Sequence, residues 1–106
     1  MLSQLKPLLN EFRQALIQYY GDRLSKIILY GSQARNDATE NSDIDVMIVL
    51  SKMESPGDEI LCLGDIKNQL CLKYDQLISI LPVSENDYLY KRTPLLKNVR
   101  DEGIIL

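Results

Sequence analysis

The order of periodic segments along this chain predicts an α+β domain, a small mixed central sheet flanked by helices. Two observations carry that reading. Apolar residues recur at helical spacing at the start of the chain, in its middle and near its end. Between those stretches lie short continuous apolar runs of strand length, bounded by Gly, Pro and polar clusters. No internal repeat or low-complexity segment interrupts the pattern.

Each element has a local reason. Leu2, Leu5, Leu8, Leu9, Phe12, Leu16 and Tyr19 form an amphipathic stripe through residues 2–20, and Gly21 supplies the stop. Lys26-Ile27-Ile28-Leu29-Tyr30 reads as a strand that ends at Gly31. A Gly-Ser turn and a polar loop, residues 35–42, lead to a second strand over residues 43–50. Ser55-Pro56-Gly57-Asp58 reads as a break, after which Ile60, Leu61, Leu63, Ile66, Leu70, Cys71 and Leu72 make a second amphipathic helix. Leu77–Leu81 reads as a third strand ended by Pro82. Ser84 with Asp87 is a helix N-cap signal, and Thr93-Pro94 is another, opening a last helix that Gly103 ends.

The chain has 106 residues, which suits a single domain spanning 1–106 that buries roughly 65% of its unfolded surface. No run approaches the length of a membrane span, and residues 1–20 lack the unbroken apolar core of a signal peptide, so a soluble, cytoplasmic protein is expected. Cys62 and Cys71 lie nine apart with no C-x-x-C and no histidine in the chain, and both are expected as buried core thiols. Without histidine a Ser-His-Asp triad and the usual zinc hydrolase ligands are excluded. A net charge of −3 argues against broad nucleic-acid binding, which needs clustered cations to displace counterions.

The chemistry concentrates between residues 30 and 50. Gly31-Ser32 is followed, after ten intervening residues, by Asp43-Ile44-Asp45. Alternation puts both aspartates on one face of a strand, with Cα atoms about 6.6 Å apart. Two carboxylates that close repel unless a hard cation sits between them, and Mg²⁺ takes oxygen ligands while leaving positions for substrate phosphates. Gly31 lets a backbone approach a triphosphate, Ser32 adds an N–H and a hydroxyl donor, and Arg35 is a candidate charge-assisted phosphate contact. Asp75, Leu77 and Ser79 share a face by the same alternation, which makes Asp75 or Ser79 the position aimed at the metals.

With Gly31-Ser32, Ala34-Arg35 and Ser42-Asp43-Ile44-Asp45 ahead of an apolar strand, the chain resembles the minimal nucleotidyltransferases, small relatives of the polymerase beta superfamily. The resemblance covers nearly the whole chain and implies the nucleotidyltransferase fold. It implies transfer of AMP from ATP to a hydroxyl, with two Mg²⁺ ions held by Asp43, Asp45 and a third carboxylate, for which Asp75 is the candidate. Relatives carry that acid inside the third strand, where this chain has Ser79, so a catalytically impaired module that inhibits or scaffolds by binding alone is the alternative. Relatives that modify small acceptors carry an added helical domain, so the resemblance implies a protein acceptor instead. Members of this size resemble the antitoxin of HEPN/MNT toxin–antitoxin pairs, which implies a HEPN-type ribonuclease as the protein acceptor. The expected contact surfaces are residues 35–42 and the segment Tyr88–Thr93, where Tyr88, Tyr90, Lys91 and Arg92 combine aromatic and basic side chains; the alternative is that these tyrosines pack on the sheet.

Overall fold

The computed structural model describes residues 2–31, 34, 43–53 and 55–106, and the side chains of all of these except 2–4 and 56. Helix α1 (Leu2–Tyr20) runs into a single 3-10 turn (Gly21–Arg23) and strand β1 (Leu24–Tyr30). Strand β2 (Ile44–Leu50), helix α2 (Pro56–Tyr74) and strand β3 (Ile78–Ser84) follow. Helices α3 (Glu85–Tyr90) and α4 (Pro94–Glu102) and a short strand β4 (Ile104–Ile105) complete the order. The strands form one mixed sheet in the order β3-β2-β1-β4. β1 is antiparallel to β2 and β4, whereas β2 and β3 are parallel and joined by the crossover helix α2.

Period-2 alternation divides the sheet into two apolar faces. Ile27, Leu29, Ile44, Val46, Ile48, Leu50 and Ile78 face α1 and α2 and form the larger core with Leu8, Phe12, Leu16 and Leu63. Ile28, Met47 and Val49 point the other way, onto Tyr88 of α3 and Leu96 and Val99 of α4. β2 is therefore apolar at every position but one, and that exception is Asp45.

Capping follows the sequence closely. The Asp87 N–H donates to Ser84 Oγ at 3.1 Å and the Leu96 N–H to Thr93 Oγ1 at 3.2 Å, so both predicted N-caps form. Three boundaries differ from expectation. Ser55-Pro56 is the N-cap and first turn of α2 rather than a break before it. β3 continues through Pro82, which is tolerated because β3 is an edge strand and one side of it needs no N–H donor. β4 lies beyond the last predicted helix, where Gly103 turns the chain back along β1. Cys62 is exposed and Cys71 half-buried, both as free thiols, so the expected pair of core cysteines is corrected. Among the described residues no helix is long and apolar enough to cross a membrane.

A polar latch closes one end of the α1–α2 layer. Tyr20 Oη donates to Glu59 Oε2 at 2.7 Å, Arg23 Nη2 donates to Glu59 Oε1 at 2.8 Å, and the same nitrogen reaches the Lys52 carbonyl at 3.2 Å. Burial alone would raise the Glu59 carboxyl, but the bonds from Arg23 and Tyr20 outweigh it and hold the group below the ordinary carboxylate range. Burial, and next the bond to Glu59, push the Tyr20 phenol far above its ordinary range.

Two outcomes follow for stability. Phe12 is fully buried and Leu72 is 85% exposed, so urea titration is expected to show a loss of about 3–5 kcal/mol for Phe12→Ala and a change within about 0.5 kcal/mol for Leu72→Ala. Because the Glu59 pKa is lower folded than unfolded, its contribution is present above its unfolded value, about 4.3, and disappears as pH falls through the lower folded value. The stability gap between the wild type and Glu59→Gln should accordingly be widest near pH 7 and shrink below about pH 4. A gap independent of pH would show that the latch does not depend on the Glu59 charge.

Candidate active site

The site forms where β1 ends and β2 and β3 begin, on the face covered further along by α3 and α4. Gly31 follows β1 with φ +73°, a left-handed conformation that a side chain strains. A Cβ built there would lie 2.5 Å from Asp45 Oδ2. The Asp45 carboxylate thus occupies the space that the missing side chain leaves. This is a close approach of an acid to bare backbone, enforced from below by Val46 and Ile44 in the core.

Strand register assembles the neighbours. Tyr30 on β1 and Ser79 on β3 are the residues directly opposite Asp45 in the sheet, so the three side chains share one face. Burial, and then the Asp45 charge, push the Tyr30 phenol above its ordinary value. Asp43 stands two residues before Asp45, just outside β2 and exposed, at the mouth of the same end. Ser32 and Arg35, the other sequence candidates, lie outside the described residues, as does the loop 35–42.

Asp75 is placed differently from expectation. It is the C-cap of α2, in the left-handed conformation with φ 53° and its N–H bonded to the Cys71 carbonyl. β3 begins only at Ile78, so strand alternation does not extend back to Asp75 and does not align it with Ser79. It still lies at the correct end of the sheet. Two residues on, the Leu77 carbonyl accepts from the N–H of Ile44, the residue between Asp43 and Asp45, at 2.8 Å. Tyr30 is the site neighbour that the pattern concealed, because a tyrosine closing an apolar strand reads as packing.

Among the described residues, the side chains that the register sets on the face of Asp45 carry oxygen donors: the hydroxyls of Tyr30 and Ser79, with the Asp43 carboxylate two residues before it. Among the described residues no three of His, Cys, Asp and Glu gather closely enough to hold a metal by themselves. Two carboxylates beside a backbone cradle fit Mg²⁺, which binds through one or two carboxylates and completes its octahedron with substrate phosphates and water.

The cradle makes a sharp contrast between two glycines. Gly31→Ala must both hold a positive φ and displace the Asp45 carboxylate, whereas a Cβ at Gly64 in α2 meets nothing within 4 Å. Gly31→Ala should destabilise by about 1–3 kcal/mol, and Gly64→Ala should stabilise by about 0.5–1 kcal/mol. Thermal and urea unfolding of the two variants checks this. Equal effects would mean that Gly31 has no special contact.

Comparison with known proteins identifies the family of the fold. Residues 9–105 match the family described as the nucleotidyltransferase domain. A candidate protein adenylyltransferase of Methanocaldococcus jannaschii is 39% identical over 100 residues, covering 92% of this chain and 93% of its own. A second from the same organism is 35% identical over 86 residues, covering 81% and 79%. Among solved structures, a toxin–antitoxin complex with AMP-PNP superimposes with a TM-score of 0.63 at 20% identity, covering 91% of this chain and 71% of that one. A nucleotidyltransferase candidate from Sulfolobus solfataricus gives a TM-score of 0.63 at 18% identity, covering 97% and 81%. With a family match across almost its whole length and relatives of this identity, the chain belongs to the nucleotidyltransferase domain family.

Proposed function

We propose that this protein transfers AMP from ATP to a hydroxyl on a partner protein, acting in the cytoplasm as the antitoxin that adenylylates a HEPN-type ribonuclease. One observation carries the reading: the Asp45 carboxylate seated against the side-chain-free Gly31, with Asp43 two residues before it at the open end of the sheet. The relatives named as candidate protein adenylyltransferases support the choice of a protein acceptor, and the neighbour with AMP-PNP supports the choice of nucleotide.

In this reading Gly31 and Ser32 present backbone N–H groups to the triphosphate, and Arg35 adds a charge-assisted contact. Asp43 and Asp45, with Asp75, would hold Mg²⁺, which supplies neutralisation of the triphosphate and a lowered pKa for the attacking hydroxyl. The acceptor oxygen forms a bond to the α-phosphorus as the bond to the bridging oxygen breaks. The proton passes to the Asp75 carboxylate, and pyrophosphate carries away the electron pair. Positioning and charge complementarity supply most of the rate.

A second reading, a module that silences its partner by binding without transfer, is favoured by a specific feature. The β3 residue beside Asp45 is Ser79, which has no charge, and Asp75 is fixed in a helix cap.

Thermal unfolding separates the first requirement. ATP with Mg²⁺ at about 100 times its Kd should add roughly 2.7 kcal/mol, and Asp43→Asn with Asp45→Asn should abolish that gain without destabilising the apo fold. An unchanged ligand-induced shift would remove the pair from the site. Intact-mass analysis after co-expression with a HEPN-type ribonuclease then distinguishes the readings, since addition of AMP marks transfer and a complex of unaltered mass marks inhibition by binding. Asp75→Ala should leave ATP binding within a few-fold and reduce transfer by roughly 10²–10⁴. Full activity in that variant, or a gain in Ser79→Asp, would move the third carboxylate position to residue 79.

A further inference from the structure

The α3–α4 corner forms a basic depression on a chain whose net charge is −3. Arg92, Lys97 and Arg100 line a concave surface of about 570 Å³, together with Thr93, Asn98 and a single acid, Asp101. Its frame is rigid. Arg100 Nη1 donates to the carbonyls of Tyr88 at 2.8 Å and Lys91 at 3.1 Å, which clamps the linker between the helices, and the Thr93 cap fixes the next turn. That clamp uses the Arg100 fork and holds the backbone of the 91–93 linker against α4, while the Arg92 and Lys97 side chains stay exposed. Leu95 and Tyr90, 44% and 71% exposed, stand two residues before Lys97 and Arg92 in the chain.

Position decides what this surface is for. α3 and α4 cover the same sheet face on which Tyr30 and Asp45 stand, because Tyr88, Leu96 and Val99 pack on Ile28, Met47 and Val49. The depression therefore belongs to the helical layer that covers the face on which Asp45 stands. We propose that the Arg92–Lys97 depression docks an acidic, extended segment of the protein that receives the nucleotidyl group. This rests on the reading that the acceptor is a protein. Charge complementarity selects the occupant: the cations stand out against an acidic chain and steer an acidic partner. A nucleic acid is disfavoured, because so few cations release too few counterions to hold one against the overall charge. Exposed Tyr and Leu beside Arg and Lys are also the composition of protein-recognition patches.

Fluorescence anisotropy with a labelled glutamate-rich decapeptide, against a ten-nucleotide oligouridylate, tests the assignment on the full chain. The peptide should bind preferentially and lose at least tenfold in affinity in Arg92→Glu/Lys97→Glu, while Lys6→Glu on exposed α1 surface loses less than twofold. Should the reversal variant fail to fold, Arg92→Gln/Lys97→Gln decides, with an expected loss of about threefold. Preference for the oligonucleotide, or equal losses in the Lys6 and Arg92/Lys97 variants, would overturn the proposal. The ATP-induced thermal shift, read in parallel, should be unchanged in every variant. Peptide docking that behaves as described in a protein that transfers no AMP supports this surface and rejects the catalytic reading instead.

Discussion

β2 is the constraint on which both the core and the site depend. It lies between β1 and β3, and Ile44, Val46, Met47, Ile48, Val49 and Leu50 are all fully buried, the four even-numbered ones among them against α1 and α2 and Met47 and Val49 against the other helical layer. A strand with both faces covered has no tolerance for a register slip, since moving by one residue exchanges its two faces. Here the slip would carry the Asp45 carboxylate under α1 and α2, among Leu8, Phe12 and Leu16, where an unpaired charge costs several kcal/mol or more. Apolar packing therefore orients the one acid in the strand. The chemistry inherits its geometry from the hydrophobic effect.

That orientation explains the Gly31 cradle. Asp45 has to emerge at the end of the sheet where β1 gives way to a turn, and the register sets Tyr30 directly opposite it. The residue after Tyr30 then meets the carboxylate, so any Cβ there competes with Oδ2 for the same volume. Positive φ and close approach coincide at one position, and glycine satisfies both demands.

Much of this was legible because the relevant signals are local. The α1 stripe, the β1 and β2 runs, and the Ser84 and Thr93 caps each depend on neighbours a few residues away, and the α+β architecture follows from their order. What failed depended on tertiary context. β4 has only Ile104-Ile105 as its sequence signature, and two residues form a strand only because β1 offers them an edge. Pro82 reads as a strand end unless β3 is known to be the edge. Asp75 reads as a strand start because a left-handed cap usually carries glycine, and aspartate is among the few other residues that adopt it. The cysteines were the avoidable error. Nine residues along a helix amount to two and a half turns, which places Cys62 and Cys71 on opposite sides, so one of them had to face solvent. Of the nucleotide-binding candidates, Ser32 and Arg35 fall outside the described residues, and the site is defined structurally by Gly31, Asp43 and Asp45 with Tyr30 and Ser79.

The two helical layers divide the work. On one side α1 and α2 are held by the Tyr20–Arg23–Glu59 latch and by Lys73 donating to Glu11 at 2.6 Å, contacts that tie helix to helix and leave the carboxylate end of the sheet untouched. On the other side α3 has six residues and α4 nine, too short to be stable alone, so their placement depends on Tyr88, Leu96 and Val99 sinking into the sheet and on Arg100 gripping the linker. A layer this thin leaves Asp43 exposed and Asp45 only half-buried. Carboxylates so open to solvent gain little from a low dielectric. The fold thus presents its two neighbouring carboxylates at the end of the sheet where the helical layer is thinnest, one exposed and one half-buried.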